Sequence, residues 1–372
     1  MIFVLSATIM VHGAATLALS ATITVGQYPV AVAYDSGKGE IFTVNNGDGT
    51  VSVVTDSTNE VVATVTVGQN PLGVAYDSGK GEVFVSNAGS NTVSVISDST
   101  NTVVATVTLA NGPNGIAYDS GKGEIFVVDG TSISVISDSN NVVVATISSV
   151  GNYPTGIVYD SGKGEIFVSN DDAAGATVAV ISDSSNKVVA TVNLPEGDAP
   201  EGLAYDSGKG EIYIAIYNAA SIAAISDKTN SVVATDVSLG DYGSDPHSIT
   251  YDSGKSVIFV AAGHTYALSD SNNAAVAEFP QESNDLTYDS SKGEVFIVNG
   301  ANDASPVYVV SDSDIASSSA NPIVSSSPVT TTSVSTTPTV PEFTVPTLVL
   351  IVFGAVAITS APVALTAKKR SK

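Results

Sequence analysis

Tyr34-Asp35-Ser36-Gly37-Lys38-Gly39-Glu40, followed by the apolar run Ile41-Phe42-Thr43-Val44, is the stretch that decides the fold, because the chain keeps repeating it. Further copies begin at Tyr76, Tyr118, Tyr159 and Tyr205, and altered ones at Tyr251 and Tyr288. The seven tyrosines stand 42, 42, 41, 46, 46 and 37 residues apart. A period of this size, filled with short strands and turns, is the sequence signature of a β-propeller. Repeats that stack share one core, so a length of 372 residues does not here imply two or three domains.

Each full repeat reads as four strands rich in Val, Ile, Phe and Thr; in the second they cover 72–77, 82–87, 92–97 and 103–109. Asp77-Ser78-Gly79-Lys80 reads as a hairpin turn whose glycine takes up a positive φ, and Asp98-Ser99-Thr100-Asn101 as the next turn. Antiparallel order puts both turns on one side of the disc. The loops at 68–71 and 88–91 then lie on the other. Ala-Leu-Ser-Ala-Thr-Ile-Thr-Val-Gly at 18–26 matches the closing strand of later repeats, whereas the seventh repeat, 285–312, stops without one. A spare strand in front and a missing one behind predict an all-β, seven-bladed propeller of four-stranded blades over 16–312, closed by its N-terminal strand. Closure removes the free edges of an open array.

Composition narrows the partners. The chain holds 37 acidic and 13 basic side chains, and four of the basic ones (Lys368, Lys369, Arg370 and Lys372) end it. Residues 1–342 therefore carry a net −28, a surface that repels nucleic acid and attracts cations or basic partners. Cysteine is absent, which excludes disulfides, thiolate metal sites and cysteine nucleophiles.

The ends differ from the middle. Residues 1–15 are apolar and finish Gly13-Ala14-Ala15, like a signal peptide but without a basic start; cleavage and retention as an anchor are both open. Residues 313–344 turn to Ser, Thr and Pro and read as an extended stalk. Residues 345–367 carry no charge, long enough as a helix to cross a bilayer core of about 30 Å. The basic tail 368–372 then places the C-terminus in the cytoplasm and the propeller outside, on the cell surface.

The repeated turns are nearly identical, while the loops of the other side, such as 45–49, 170–175 and 240–247, differ in length and content. Variable loops on a rigid scaffold are where function usually sits; drift is the competing account. Tyr28, Asp48, Tyr153, Asp171, Asp172, Tyr242, Asp245 and His247 are the candidate ligand-binding residues. His12 lies in the leader, leaving His247 and His264, both in the sixth repeat. With Asp241 and Asp245 they match no metal-ligand spacing, and a solvated or capping role is the simpler reading. Asp171, Asp172, Asp241 and Asp245 offer hard oxygen ligands for Ca²⁺, against diffuse cation attraction as the alternative. Gly37-Lys38-Gly39 lacks the spacing of a phosphate loop. The repeated tyrosine reads as packing between blades, and no residue is assigned to catalysis.

The stretches Val85-Ser86-Asn87 and 94–107, with Gly68-Gln69-Asn70-Pro71-Leu72-Gly73-Val74-Ala75, resemble the YVTN family of β-propeller repeats. The family asparagine recurs at Asn45, Asn87, Asn170 and Asn299; Asp129 replaces one, and Ile216 and Ala262 depart. The resemblance covers residues 20–311 and implies a seven-bladed propeller of the kind found in archaeal surface-layer and cell-surface proteins. Pro341-Glu342-Phe343, with the apolar span and basic cluster behind it, resembles a PEF-CTERM sorting signal, whose tail a membrane transpeptidase removes. The expected function is non-catalytic: surface-layer association, adhesion or ligand binding. The expected partners are envelope or surface-layer components, glycans or other surface proteins, and not nucleic acid. A purely architectural coat component and a hydrolase or lyase working in the channel are the alternatives.

Overall fold

A computed structural model of the chain describes residues 15–172, 175–195, 199–239, 244–300, 306–313 and 315. Seven antiparallel sheets, the blades, follow one another in chain order. Blade 1 is built from Pro29–Asp35, Glu40–Asn45, Thr50–Thr55 and Glu60–Thr66, from the innermost strand outward. The innermost strands of the others are Pro71–Asp77, Pro113–Asp119, Pro154–Asp160, Pro200–Asp206, Ser248–Asp252 and Asp285–Asp289. The sequence boundaries thus hold to within a residue. The stalk, the apolar span 345–367 and the basic tail lie outside the described residues, as does the leader up to residue 14.

Blade 7 supplies only three strands of its own, ending with Pro306–Ser311, and Leu19–Thr24 pairs antiparallel with that strand as its outermost member. Ile23, opposite Val307, is 4% exposed and packs among Phe296, Val309 and the Val32 and Val54 of blade 1. The N-terminal strand closes the ring. Sequence reasoning did not foresee what precedes it. Ala15–Thr16 pairs in parallel with Ala277 and Glu278, adding a fifth strand to blade 6, and Leu17 is buried beside Phe279.

The two middle strands of a blade face neighbours on both sides, so they read as continuous apolar runs rather than as alternation. Phe42, Phe84, Phe126, Phe167, Tyr213, Phe259 and Phe296 occupy one equivalent place per blade, all fully buried. The outermost strands alternate and carry a β-bulge, as where pairing skips from Val103 to Ala105. The skipped residue in blades 1 to 5 is Val62, Val104, Val144, Val189 and Val233, each about half exposed. Such bulges blunt the outer edge against stray pairing.

On the turn side the repeat is a set of fasteners. Asp77 Oδ1 accepts hydrogen bonds from the Gly79 and Lys80 amides at 2.8 and 3.1 Å, an arrangement kept in the other Asp-Ser-Gly-Lys turns. The left-handed residue is Gly81, at φ 67°, not Gly79 as the turn reading had it. Gly79 is needed for room: a Cβ there would sit 2.6 Å from Tyr118 Oη of the next blade. The repeated tyrosine stands in each joint against the preceding blade's aspartate. Burial, and then the hydrogen bond to that aspartate, push Tyr159 and Tyr205 up to about 12. The turn lysine crosses the joint in the other direction. Lys38, Lys80, Lys122, Lys163, Lys209 and Lys292 donate to the backbone carbonyls of Asp98, Asp138, Asp183, Asp227, Asp270 and Asp56. Lys255 reaches the carbonyl of Ile315 at 3.2 Å.

Candidate functional site: the loop-side mouth of the channel

The innermost strands enter from the loop side and surround a central cavity of about 600 Å³. Aligned on the repeat tyrosine, the residue four positions before it is Val30, Leu72, Asn114, Thr155, Glu201, His247 or Asn284 in blades 1 to 7, and all seven line the cavity at its loop-side mouth. Two adjoining blades thus give an apolar wall and five give a polar one.

The next residue faces the neighbouring blade. It is Gly73, Gly115, Gly156 and Gly202 in blades 2 to 5, where a Cβ would meet the following blade's carbonyl oxygen at 2.7, 2.5, 2.1 and 2.6 Å. Blade 7 departs from this with Asp285. Its carboxylate accepts a hydrogen bond from the Ser248 hydroxyl at 2.5 Å and from the Val32 amide at 2.8 Å, tying blades 6, 7 and 1 together. Burial pushes Asp285 up to about 6, with those two hydrogen bonds pulling the other way.

Glu201 and His247 meet across the joint between blades 5 and 6 at the mouth, Oε2 to Nδ1 at 3.3 Å, each about a third exposed. The Tyr217 ring packs on the imidazole at a centroid distance of 5.1 Å. Among the residues lining the cavity there is no lysine or arginine. The arrangement can accept hydrogen bonds, exchange a proton between carboxylate and imidazole, and hold positive charge.

The sequence candidates fall into three groups around this mouth. At blade 1, Asp48 Oδ2 accepts from the Gln27 amide at 3.1 Å, and Tyr28 packs so close that a Cβ on Gly47 would lie 2.6 Å from its ring. At blade 4, the Asp171 amide donates to the Tyr153 carbonyl, and Asp172 accepts from the Asn152 amide group at 2.6 Å. Tyr153 is 73% exposed and Tyr28 43%, both at left-handed φ of 48° and 47°, unusual for bulky side chains. At blade 6, Asp245 is exposed and His247 reaches the cavity. Tyr242 and Asp241 lie outside the described residues. His247, read from the sequence as solvated or capping, is a third exposed and stands in the channel wall. Among the described residues no group of three His, Asp or Glu has the geometry to hold a metal.

No protein-family model matches the sequence, and no curated protein matches it. Solved structures do. One is hydrazine synthase of Kuenenia stuttgartiensis, at a TM-score of 0.67 and 15% identity, over 77% of this chain and 96% of that one. The fold is a seven-bladed propeller. At this identity the likeness extends to the fold alone, and with 1727 matching chains the fold selects no activity.

Glu201 was missed in the sequence. The signal was available in the alignment of the seven repeats, where the position four before the tyrosine changes chemical class from blade to blade.

Proposed function

We propose that this chain is a non-catalytic cell-surface propeller that binds envelope or surface-layer components through its loop side. One observation carries the reading: the two sides of the disc differ in kind. The turn side repeats one set of fasteners, and each turn lysine is engaged across a joint. The loop side carries the changes, with exposed Tyr28 and Tyr153 around an uneven channel mouth. The resemblance to YVTN repeats and the uncharged span 345–367 followed by 368–372 support the surface location and the membrane anchor.

The test is binding of the full-length protein, held in lipid nanodiscs, to isolated envelope fractions with and without Ca²⁺. Saturable binding is expected, reduced at least fivefold when Tyr153, Asp171 and Asp172 are all changed to alanine. Absence of saturable binding in every condition would sink the adhesion reading. A second reading, a coat built from copies of this chain, draws support from the half-exposed bulge valines on the outer strands of blades 1 to 5. Concentration-dependent assembly with no other ligand present would favour it.

A further inference from the structure

Charge is divided between the two sides of the disc more completely than composition requires. The nine lysines of the propeller are Lys38, Lys80, Lys122, Lys163, Lys209, Lys255 and Lys292 in the inner turns, with Lys187 and Lys228 at the outer ones. All nine lie on the turn side, as do the lysine–carboxylate contacts Lys80–Glu82, Lys163–Glu165, Lys209–Glu211 and Lys292–Asp56. Among the described residues the loop side has no lysine or arginine, and the sequences of 173–174, 196–198, 240–243 and 301–305 contain none. Its described carboxylates Asp48, Asp172, Glu201 and Asp285 bond to amides, a hydroxyl or a histidine. A fixed field of one sign focused on a cleft selects ligands of the other sign.

We propose that the loop-side channel mouth is a docking site for a basic polypeptide segment, with a lysine ammonium seated beside Glu201. This rests on the loop side being the binding side. The fit is chemical at each end of a lysine side chain. Glu201 presents an accessible carboxylate and Asn114 an amide, while Val30 and Leu72 give the apolar wall that a four-carbon stem covers. An anionic ligand would meet no positive partner other than a protonated histidine. A divalent cation would find no set of three ligands among the described residues.

The experiment measures fluorescence anisotropy of labelled hexalysine with the full-length protein in neutral phosphatidylcholine nanodiscs, at 0.15 M salt where diffuse surface attraction is screened beyond about 8 Å. Glu201→Gln should weaken binding at least tenfold, and Asn114→Lys, which places an ammonium in the mouth, should do the same. Glu282→Gln removes the same charge from an exposed site on the connection between blades 6 and 7 that does not itself line the cavity, and should change binding less than threefold. Thermal unfolding of each variant checks the fold. Equal weakening by Glu201→Gln and Glu282→Gln would reduce the effect to diffuse attraction and overturn the proposal. So would unchanged affinity in Asn114→Lys, or binding of neutral cellohexaose where hexalysine fails to bind. Envelope binding that survives while hexalysine fails would remove this inference and leave the proposed function standing.

Discussion

Gly156→Ala tests how tightly the blades are joined around the channel. The added Cβ would lie 2.1 Å from the Glu201 carbonyl oxygen and 2.8 Å from Leu203 Cδ1, where ordinary contact begins at 3.4 Å. Blades 4 and 5 would have to part locally by more than an ångström. The joint resists, because Ser169 Oγ accepts from the Gly156 amide at 2.8 Å and donates to that same Glu201 carbonyl at 2.7 Å. Overpacking costs about 1–3 kcal/mol and a strained hydrogen bond about 1 kcal/mol more. Lower chain entropy in the unfolded state returns about 0.4–1 kcal/mol. The net loss of about 1–4 kcal/mol should lower Tm by about 2–6 °C in a domain of this size. Gly254→Ala is the control: its Cβ would stop 3.2 Å from the nearest atom, and it should cost less than about 1 kcal/mol. Unfolding followed by circular dichroism at pH 7 separates the two. Equal midpoints would refute the claim that close blade contact dictates glycine at this place.

Two further outcomes follow from the packing and the charges. Ile23→Ala should cost about 2–4 kcal/mol in urea unfolding, because that side chain is 4% exposed within the closing joint, whereas Leu19→Ala, 51% exposed on the same strand, should stay within about 0.5 kcal/mol. If both cost the same, the strand is not what closes the ring. Asp285 has a folded pKa of about 6 against an ordinary 3.8, so the folded state holds its proton more tightly. Its contribution is fully present below pH 3.8 and is lost as pH rises through about 6. The wild type should therefore lose up to about 3 kcal/mol relative to Asp285→Asn between pH 4 and pH 7.5, an upper bound because channel water screens the charge. Parallel stability profiles for the two proteins would contradict this assignment. Glu82, Glu124 and Asp138, all raised chiefly by burial, act in the same direction.

Much of the fold was legible because it is written seven times. Seven tyrosines pointed to the blade number, and a spare strand in front with a missing one behind pointed to the closure that Ile23 and Val307 complete. What a single copy had to say was harder to read. Ala15–Thr16 is too short for any periodicity, and it pairs through its backbone. Gly79 and Gly81 are identical letters with different tasks, one clearing space for a tyrosine and the other turning the chain. The variable loops point to Tyr28, Tyr153 and His247 as one surface, where the structure distributes them over three blades. Glu201 escaped because it sits within a repeat that otherwise looked structural, and only comparison across blades exposes it.

The way the ring closes also bears on how such a chain can grow. Because the first strand completes the last blade, the unit that is copied in the sequence runs outermost, innermost, second, third, and so straddles two blades. The unit of inheritance and the unit of packing are out of phase by one strand. A tandem duplication of the inherited unit would insert a whole blade and still leave the closing strand its partner, with each copy fastened to its predecessor by the same tyrosine and lysine. Gene duplication can thus change the girth of the ring without ever producing an unmatched end, which makes blade number the easiest large feature of this architecture to alter and the repeat the natural place for new specificity to arise.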